Sequence, residues 1–323
     1  MFYFIVNPAS RSGMGIGVWE AVEKYLKSTE LDYQVFLSEY QGHIQMLMHD
    51  LCEEHKEDEE AINVIVLGGD GTMDEALQGV IDFKKINIGY IPTGSSNDFA
   101  RALSYPSDPV EAVKHILACN EPQIFDLGKL EYLTTSESRM GLSFDQSSRV
   151  RYFDVSCGTG FDAAICKLAL NGGGSKSFLN KIGLGKLIYL KIALREVFKG
   201  ILPDGKLILD NGEVVEFKKL RFMVGMNTCY EGGGFKFAPD AVGNDGYLDL
   251  CLVSSLSTPM AFVVLPKALK GNHVSSKKVK IFRAKSYELI LDQPLWVHTD
   301  GEVYAKSTHF KVSCEEGLLR LLY

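Results

Sequence analysis

The sequence lacks several features that would place it in common classes of protein. No apolar run reaches the roughly 20 residues that a membrane-spanning helix needs. The seven cysteines are scattered and form no CxxC pair of the kind found in metal sites, so we expect reduced thiols and a cytoplasmic location. The opening segment MFYFIVNPAS has no basic stretch before its apolar one, and we interpret it as a first strand and not as an export signal.

Three nucleotide-binding motifs are also missing. The sequence contains no GxxxxGK[ST] segment, which excludes a P-loop enzyme. It contains no HRD or DFG set, which excludes a protein kinase. The segment GMGIG at Gly13 has the wrong spacing for a dinucleotide fingerprint, and we interpret it as the start of a helix.

Charge is distributed unevenly along a chain of 323 residues, which is long enough for two hydrophobic cores. Residues 1–127 hold 8 Lys and Arg against 21 Asp and Glu, whereas the remainder holds 26 against 20. Between Cys251 and Tyr287 seven basic residues occur without an acidic one. This basic half either docks on an anionic membrane or only balances the acidic half. Aromatic residues are not interleaved with the lysines, which argues against a nucleic-acid partner.

Strands alternate with helices in the first 127 residues. Short apolar runs at 2–7, 33–37, 62–67 and 86–91 are each followed by a polar or glycine-rich loop and then by a helical pattern. This alternation predicts an α/β domain with a doubly wound parallel sheet, whose ligands bind at the carboxyl ends of the strands.

From about Gln123 the pattern changes to short alternating segments, which predict an antiparallel second domain. One helix is expected within it, at 183–202, with basic residues beside its apolar face. We therefore predict an α/β domain over 1–127, which the closing run 311–323 is free to join. A mainly antiparallel β domain is predicted over 128–310.

The stretch LGGDGTMDEALQG, residues 67–79, is the motif around which the chain is organised. Gly69 and Gly71 supply backbone that approaches a ligand closely, and Thr72 suits the start of a helix. Exposed amides at a helix start favour an anion. A plain strand-turn-helix corner is the alternative. Asp70 argues against it, since a carboxylate beside these amides makes sense if a magnesium ion or a proton lies between it and a phosphate.

Five motifs in this order resemble the diacylglycerol kinase catalytic family, in particular its bacterial soluble lipid kinases, with sphingosine kinases and NAD kinases as distant relatives. They are NPASRSG, GGDGTMDEALQG, IPTGSSNDFAR, GGGFKFAPDAVGNDGYLDL and HTDGE, and together they span nearly the whole chain. The resemblance implies an ATP-dependent enzyme of phospholipid synthesis that phosphorylates a lipid alcohol, above all diacylglycerol. It implies that 1–127 is the nucleotide-binding domain, that 128–310 is the lipid-substrate domain, and that the active site lies in the cleft between them. It also implies peripheral contact with the membrane, and a homodimer is left open.

The resemblance implies roles for individual residues as well. It puts ATP against Asn7, Pro8, Ala9, Ser10, Arg11, Ser38, Gly69, Asp70, Gly71, Thr72, Glu75 and Ser95. It implies that Glu302 is the general base, with Asp300 beside it, and Asp70 is the carboxylate available to a divalent cation on the phosphates. A structural magnesium is implied at the Asp245 carboxylate and the carbonyls of Val242 and Tyr247.

The sequence departs from the family pattern at a few positions and leaves alternatives open. Arg11 stands where many members have glycine, whereas Ser38 and Ser95 replace threonines and keep the hydroxyl. HTDGE also fits a hairpin tip with two solvated carboxylates, and His298 is an alternative base. The acceptor could be a polyprenol, a sphingoid lipid or NAD. A nucleotide-binding regulator without turnover is the remaining alternative, against which the intact DGE and GGDGT segments weigh.

Overall fold

The structure is a computed structural model that describes residues 1–138, 149–171 and 200–323. The chain divides into two compact units, which we call unit 1 (1–127 with 315–323) and unit 2 (128–314). The helix expected at 183–202 and the glycine-rich segment 171–186 fall almost wholly outside the described residues. Among the helices that are described, none is both long and apolar enough to cross a membrane.

Unit 1 is built on a parallel sheet. Its elements are β1 (Phe2–Val6), α1 (Ser10–Gly13), α2 (Gly15–Leu26), β2 (Tyr33–Leu37), α3 (His43–Glu54), β3 (Ile62–Gly68), α4 (Asp70–Gly79), β4 (Ile86–Pro92), α5 (Asp98–Ala102) and α6 (Pro109–Leu117). The strands lie in the order β4, β3, β1, β2, and each neighbouring pair is parallel. All seven residues of β4 are buried, as expected of a strand covered on both faces. The predicted parallel sheet is therefore confirmed.

The closing run returns to the sheet of unit 1. Leu321 pairs in parallel with Ile88, and the amide of Leu322 donates to the carbonyl of Ile88 at 2.8 Å. The hydroxyl of Tyr105 donates to the carbonyl of Leu322 at 2.9 Å. Sequence alone left this point open because an apolar alternating run fits either sheet.

Unit 2 is mainly antiparallel. Its elements are β5 (Gln123–Tyr132), β6 (Glu137–Ser138), β7 (Val150–Phe153), β8 (Ser156–Gly160), α7 (Phe161–Asn171), β9 (Gly205–Leu209), β10 (Val214–Phe217), β11 (Leu220–Met226), β12 (Leu248–Ser254), α8 (Thr258–Ala268), β13 (Val279–Ala284), β14 (Ser286–Thr299) and β15 (Glu302–Leu321). β5 begins in unit 1 and β15 ends there. The strand order β13, β12, β11, β8, β14, β15 is antiparallel throughout, which confirms the prediction from alternating segments.

Two apolar clusters stabilise unit 2. One gathers residues from β9, β12, β14 and β15, and the other packs α8 against β11 and β12. Together they hold β8 and β14 side by side, with Gly158 paired to His298. The carboxyl end of β14 and the start of α7 therefore lie close together.

Candidate active site

Three loops of unit 1 meet at the carboxyl ends of β1, β3 and β4. The side-chain amide of Asn7 donates to Thr72 Oγ1 at 2.9 Å, which joins the loop after β1 to α4. The hydroxyl of Thr93 donates to Ser10 Oγ at 2.9 Å, which joins the loop after β4 to the loop after β1. Parallel strands end at one edge of a sheet, so residues distant in sequence become neighbours here. This edge brings together the NPAS, GGDGT and PTGS segments.

The backbones of two of these loops approach each other closely. A Cβ atom on Gly69 would lie 3.0 Å from the Cα of Gly94, and a Cβ on Gly94 would lie 2.7 Å from the Cα of Gly69. Only glycine fits such an approach without displacement. α4 begins directly afterwards at Asp70, which is half-buried, and its first amides present the positive end of the helix. The arrangement suits a phosphate group.

Other residues predicted at this edge have contacts of their own. The Glu75 carboxylate accepts the amide of Gly42 at 3.0 Å, at the start of α3. The amide of Ser38 donates to the last carbonyl of β1 at 2.9 Å, and this contact places Ser38 at the same edge. Arg11 has a φ of 53°, which lies in the left-handed region that favours glycine. Ser95 is exposed.

In unit 2, Glu302 follows a two-residue turn between β14 and β15. Thr299 pairs with Glu302, which leaves Asp300 and Gly301 as the turn, with φ values of 49° and 84°. Two successive left-handed residues define a type I′ turn, for which Asp-Gly is a preferred sequence. The predicted turn at Gly301 is confirmed, and Glu302 stands half-buried at its end.

The Asp300 carboxylate accepts hydrogen bonds from three backbone amides. Its Oδ1 accepts the amides of Val155 (3.0 Å) and Ser156 (2.9 Å), and its Oδ2 accepts the amide of Asp154 (3.0 Å). Hydrogen bonds to a charged acceptor are stronger than neutral ones. Asp300 thus ties the turn to the segment between β7 and β8, which indicates a positioning role beside Glu302.

His298 is fully buried directly before this turn. Its Nε2 lies 3.2 Å from Asp162 Oδ2 and 3.4 Å from Glu231 Oε1, and its Nδ1 accepts the amide of Gly301 at 3.2 Å. Burial lowers the pKa of His298, but the hydrogen bond to Asp162 and the charges of Glu231, Asp162 and Asp300 outweigh burial and raise the pKa above its ordinary value. Because the ring is buried among these groups, His298 is a poor alternative base.

Sequence reasoning missed Asp162 and Glu231. Asp162 follows β8 as the second residue of α7, and Glu231 precedes three glycines, 232–234, that all have positive φ. The sequence signal that could have pointed to these two residues is an acidic side chain close to glycine, near the end of a strand. No spacing rule joins Asp162 to His298, however, because they are 136 residues apart and meet only through the pairing of β8 with β14.

The predicted magnesium site at Asp245 contains a guanidinium group. Arg283 Nη2 lies 2.7 Å from Asp245 Oδ2, and the amide of Tyr247 donates to Asp245 Oδ1 at 3.1 Å. The guanidinium carbon of Arg283 also lies 4.6 Å from the centre of the Tyr247 ring. Both carboxylate oxygens are engaged, and one positive charge already neutralises them. We infer that Arg283 competes for the Asp245 carboxylate with the magnesium ion predicted at Val242, Asp245 and Tyr247.

We therefore expect the stability of the protein to be independent of magnesium. Thermal melts in EDTA and in magnesium should agree for the parent, because Arg283 supplies the positive charge. In Arg283→Gln the carboxylate is uncovered, and about 10 mM magnesium bound with a Kd near 1 mM would add about 1.4 kcal/mol. Lys285→Gln is the matched control, since Lys285 lies over the same ring at 5.3 Å and should not create a response to magnesium. A parent melt lowered by several degrees in EDTA would contradict this expectation.

Comparisons with known proteins agree with this architecture. A family model described as the diacylglycerol kinase catalytic domain matches residues 1–130. A second, described as the YegS C-terminal NAD kinase beta sandwich-like domain, matches residues 157–323. YtlR of Bacillus subtilis, named as an inferred lipid kinase, is 28% identical over 99% of this chain and 98% of its own length. Diacylglycerol kinase of Staphylococcus carnosus is 29% identical over 74% of this chain and 69% of its own.

Solved structures share the fold. A diacylglycerol kinase from Bacillus anthracis has a TM-score of 0.67 at 20% identity, over 100% of this chain and 96% of that one. An NAD kinase from Archaeoglobus fulgidus in complex with ATP has a TM-score of 0.51 at 13% identity, over 100% of this chain and 94% of that one. At these identities the likeness concerns the fold alone.

Proposed function

The chain belongs to the diacylglycerol kinase catalytic family, and we propose that it transfers the γ-phosphate of ATP to the hydroxyl of a membrane lipid alcohol, with diacylglycerol as the first candidate. Relatives named for lipid and diacylglycerol kinases support the acceptor class. The NAD kinase of related fold was solved with ATP, which is consistent with ATP as the donor here.

The observation that carries the proposal is the close approach of Gly69 and Gly94 at the start of α4. Backbone amides at this edge would donate to the phosphates. Because Gly69 and Gly94 have no side chains, the phosphates can come close to this backbone. The half-buried carboxylate of Asp70 is the kind of oxygen ligand that magnesium prefers, so Asp70 would hold the ion that neutralises the phosphates. Such stabilisation accounts for most of the catalysis in phosphoryl transfer.

Glu302 is the proposed general base. The lipid hydroxyl oxygen attacks the γ-phosphorus, its proton passes to the Glu302 carboxylate, and ADP leaves with the broken bond's electron pair. A base must be held still to act in this way. The turn that precedes Glu302 is fixed by Asp300 and His298, as their contacts above show.

The proposed function is tested by measuring ATP consumption against diacylglycerol, a polyprenol, a sphingoid base and NAD. Product is identified by phosphate transfer to the acceptor, and acceptor-free reactions report background hydrolysis. Phosphorylation of diacylglycerol above the others supports the proposal. Phosphorylation of NAD alone, or tight ATP binding without turnover on any acceptor, contradicts it.

We further propose that the basic segment of unit 2 contacts an anionic membrane. Its seven basic residues are Lys267, Lys270, Lys277, Lys278, Lys280, Arg283 and Lys285. Exposed apolar side chains lie among them on and after α8, including Met260, Val263, Leu269 and Val274. Asp204, Glu216 and Asp292 line the same groove as Lys277, Lys278 and Lys280, so the surface is mixed and needs a direct test.

Replacing Lys277, Lys278 and Lys280 by glutamate should weaken binding to phosphatidylglycerol vesicles. Each basic residue near an anionic surface contributes about 1 kcal/mol, and salt screens that attraction. Activity on vesicles should fall, whereas activity on detergent-dispersed substrate should be kept. Lys24, Lys27 and Lys56 of unit 1, all exposed, give a control with the same charge change. Vesicle binding that ignores salt, or equal losses in both assays, would remove this surface as the membrane contact.

A further inference from the structure

Three buried side chains from separate parts of unit 2 converge behind the turn that carries Glu302. Asp162 comes from α7, Glu231 from the glycine loop before Phe235, and His298 from the end of β14. Their ligand-type atoms all lie within 4.8 Å of one another. Gly158 leaves the space for them, because a Cβ there would lie 2.5 Å from His298 Nε2 and 2.6 Å from Asp162 Oδ2.

A metal ion is the first occupant to consider for one histidine and two carboxylates. The contact made by Nδ1 of His298 argues against a metal ion. His298 Nδ1 accepts the amide of Gly301 at 3.2 Å, so Nδ1 carries no proton in this arrangement. A neutral imidazole then has its proton on Nε2, the atom that faces Asp162 and Glu231. An Nε2–H donates to carboxylates and does not bind a metal.

We propose that Asp162, Glu231 and His298 form a positioning cluster that holds the turn before Glu302 through the Gly301 amide. The inference rests on Glu302 being the base of the proposed function. The carboxylates fix the ring by its Nε2–H, and the ring fixes the turn by its Nδ1. A displacement of about 1 Å at a reacting group is enough to cost on the order of 10²-fold in rate.

The same geometry couples the turn to the protonation of the ring. A second proton would reside on Nδ1 and would exclude the Gly301 amide. The charged groups that face the ring are Asp162 from α7, Glu231 from the glycine loop and Asp300 from the turn itself, and all three favour that second proton. The Gly301 contact opposes it. Protonation of His298 and release of the Gly301 amide are therefore one event, so the ring holds the turn at pH values above its pKa and releases it below.

Two substitutions of His298 distinguish the contact made by Nδ1 from the contacts made by Nε2. Asn places an amide oxygen near the position of Nδ1 and keeps an acceptor for Gly301, whereas Gln places an amide near Nε2 and keeps only the contact with the carboxylates. We expect His298→Gln to lower kcat by at least about tenfold, with KM for ATP and lipid nearly unchanged. The separate variant His298→Asn should keep kcat within about threefold of the parent. His309→Gln is the matched control, because His309 pairs with Glu288 at 3.0 Å away from the turn.

Equal kcat in His298→Gln and the parent, or equal losses in both variants when both are folded, would overturn the inference. A second measurement does not depend on activity. In NMR spectra of protein labelled at glycine and histidine, the Gly301 amide should shift as the His298 ring titrates, and Asp162→Asn should move both titrations together to lower pH. A Gly301 amide that ignores the ring overturns the inference even if the protein proves to be a lipid kinase. Coupled titration without lipid phosphorylation would show that the cluster holds the turn, and would reject the proposed function.

Discussion

Replacing Glu302 by glutamine is expected to lower kcat for lipid phosphorylation by about 10² to 10⁴-fold, the usual cost of losing a general base. Glutamine keeps the size of the side chain and removes its ability to accept a proton. Glu302 lies after the type I′ turn, and the backbone contacts described above for the turn are made by Asp300 and His298. Thermal stability and ATP affinity should therefore stay near those of the parent.

The neighbouring carboxylate provides the contrast. Asp300→Asn removes the charge from a side chain that accepts three backbone amides, and leaving a buried donor without its partner costs about 1 to 3 kcal/mol. We expect Asp300→Asn to lower the melting temperature as well as the rate, whereas Glu302→Gln lowers the rate alone. If Glu302→Gln turned over within about threefold of the parent, Glu302 would not be the base. The search would then move to other carboxylates of unit 2.

The parallel sheet of unit 1 could be predicted from sequence because its signals are local. Each apolar strand is followed by a polar loop and an amphipathic helix, and this order leaves few arrangements other than a parallel sheet. The meeting of Asn7 with Thr72 follows from the same rule, since both residues lie just after parallel strands. The turn at Gly301 was equally predictable from the Asp-Gly pair between two alternating segments.

The supporting contacts of the turn could not be predicted in that way. Asp300 reaches the amide of Val155 across 145 residues of sequence, and His298 reaches Asp162 across 136. Such contacts depend on which antiparallel strands become neighbours and in which register, and alternation fixes neither. The partner of Asp245 was missed for the same reason. Arg283 stands on β13, and the pairing of β13 with β12 brings it to the loop that carries Asp245.

Electrostatics gives these contacts different consequences. At Asp245, a basic side chain lies against the carboxylate predicted to bind an ion, so we expect the loop to be stable without one. At His298, two carboxylates and a backbone amide make opposite demands on one ring, so the turn becomes sensitive to a proton. Asp245 was predicted from sequence as a metal ligand, whereas Asp162 and Glu231 were not predicted at all. In both places the carboxylates hold backbone or side chains in position.

Replacing Asp70 by asparagine is the second substitution for which we expect a large effect, with most of the kinase activity lost and the fold kept. Asp70 is the first residue of α4 and half-buried, where a negative charge beside the helix start contributes only about 0.3 to 1 kcal/mol to stability. Its larger role in the proposed mechanism is to hold the magnesium ion of the nucleotide. We therefore expect apparent affinity for magnesium in the assay to fall together with kcat.

Asp108→Asn is the matched control for this substitution. Asp108 also stands at a helix start, where its carboxylate accepts the amides of Val110 and Glu111 at 3.0 Å each, and asparagine caps a helix about as well as aspartate. Activity should be unchanged there. In Asp70→Asn the melting temperature should fall by no more than a few degrees. A drop of more than about 8 °C would exceed what the loss of one helix-end charge explains, since 1 kcal/mol shifts the melting temperature of a large domain by about 2 to 4 °C. Asp70 would then be a structural residue, and the loss of activity would say nothing about magnesium.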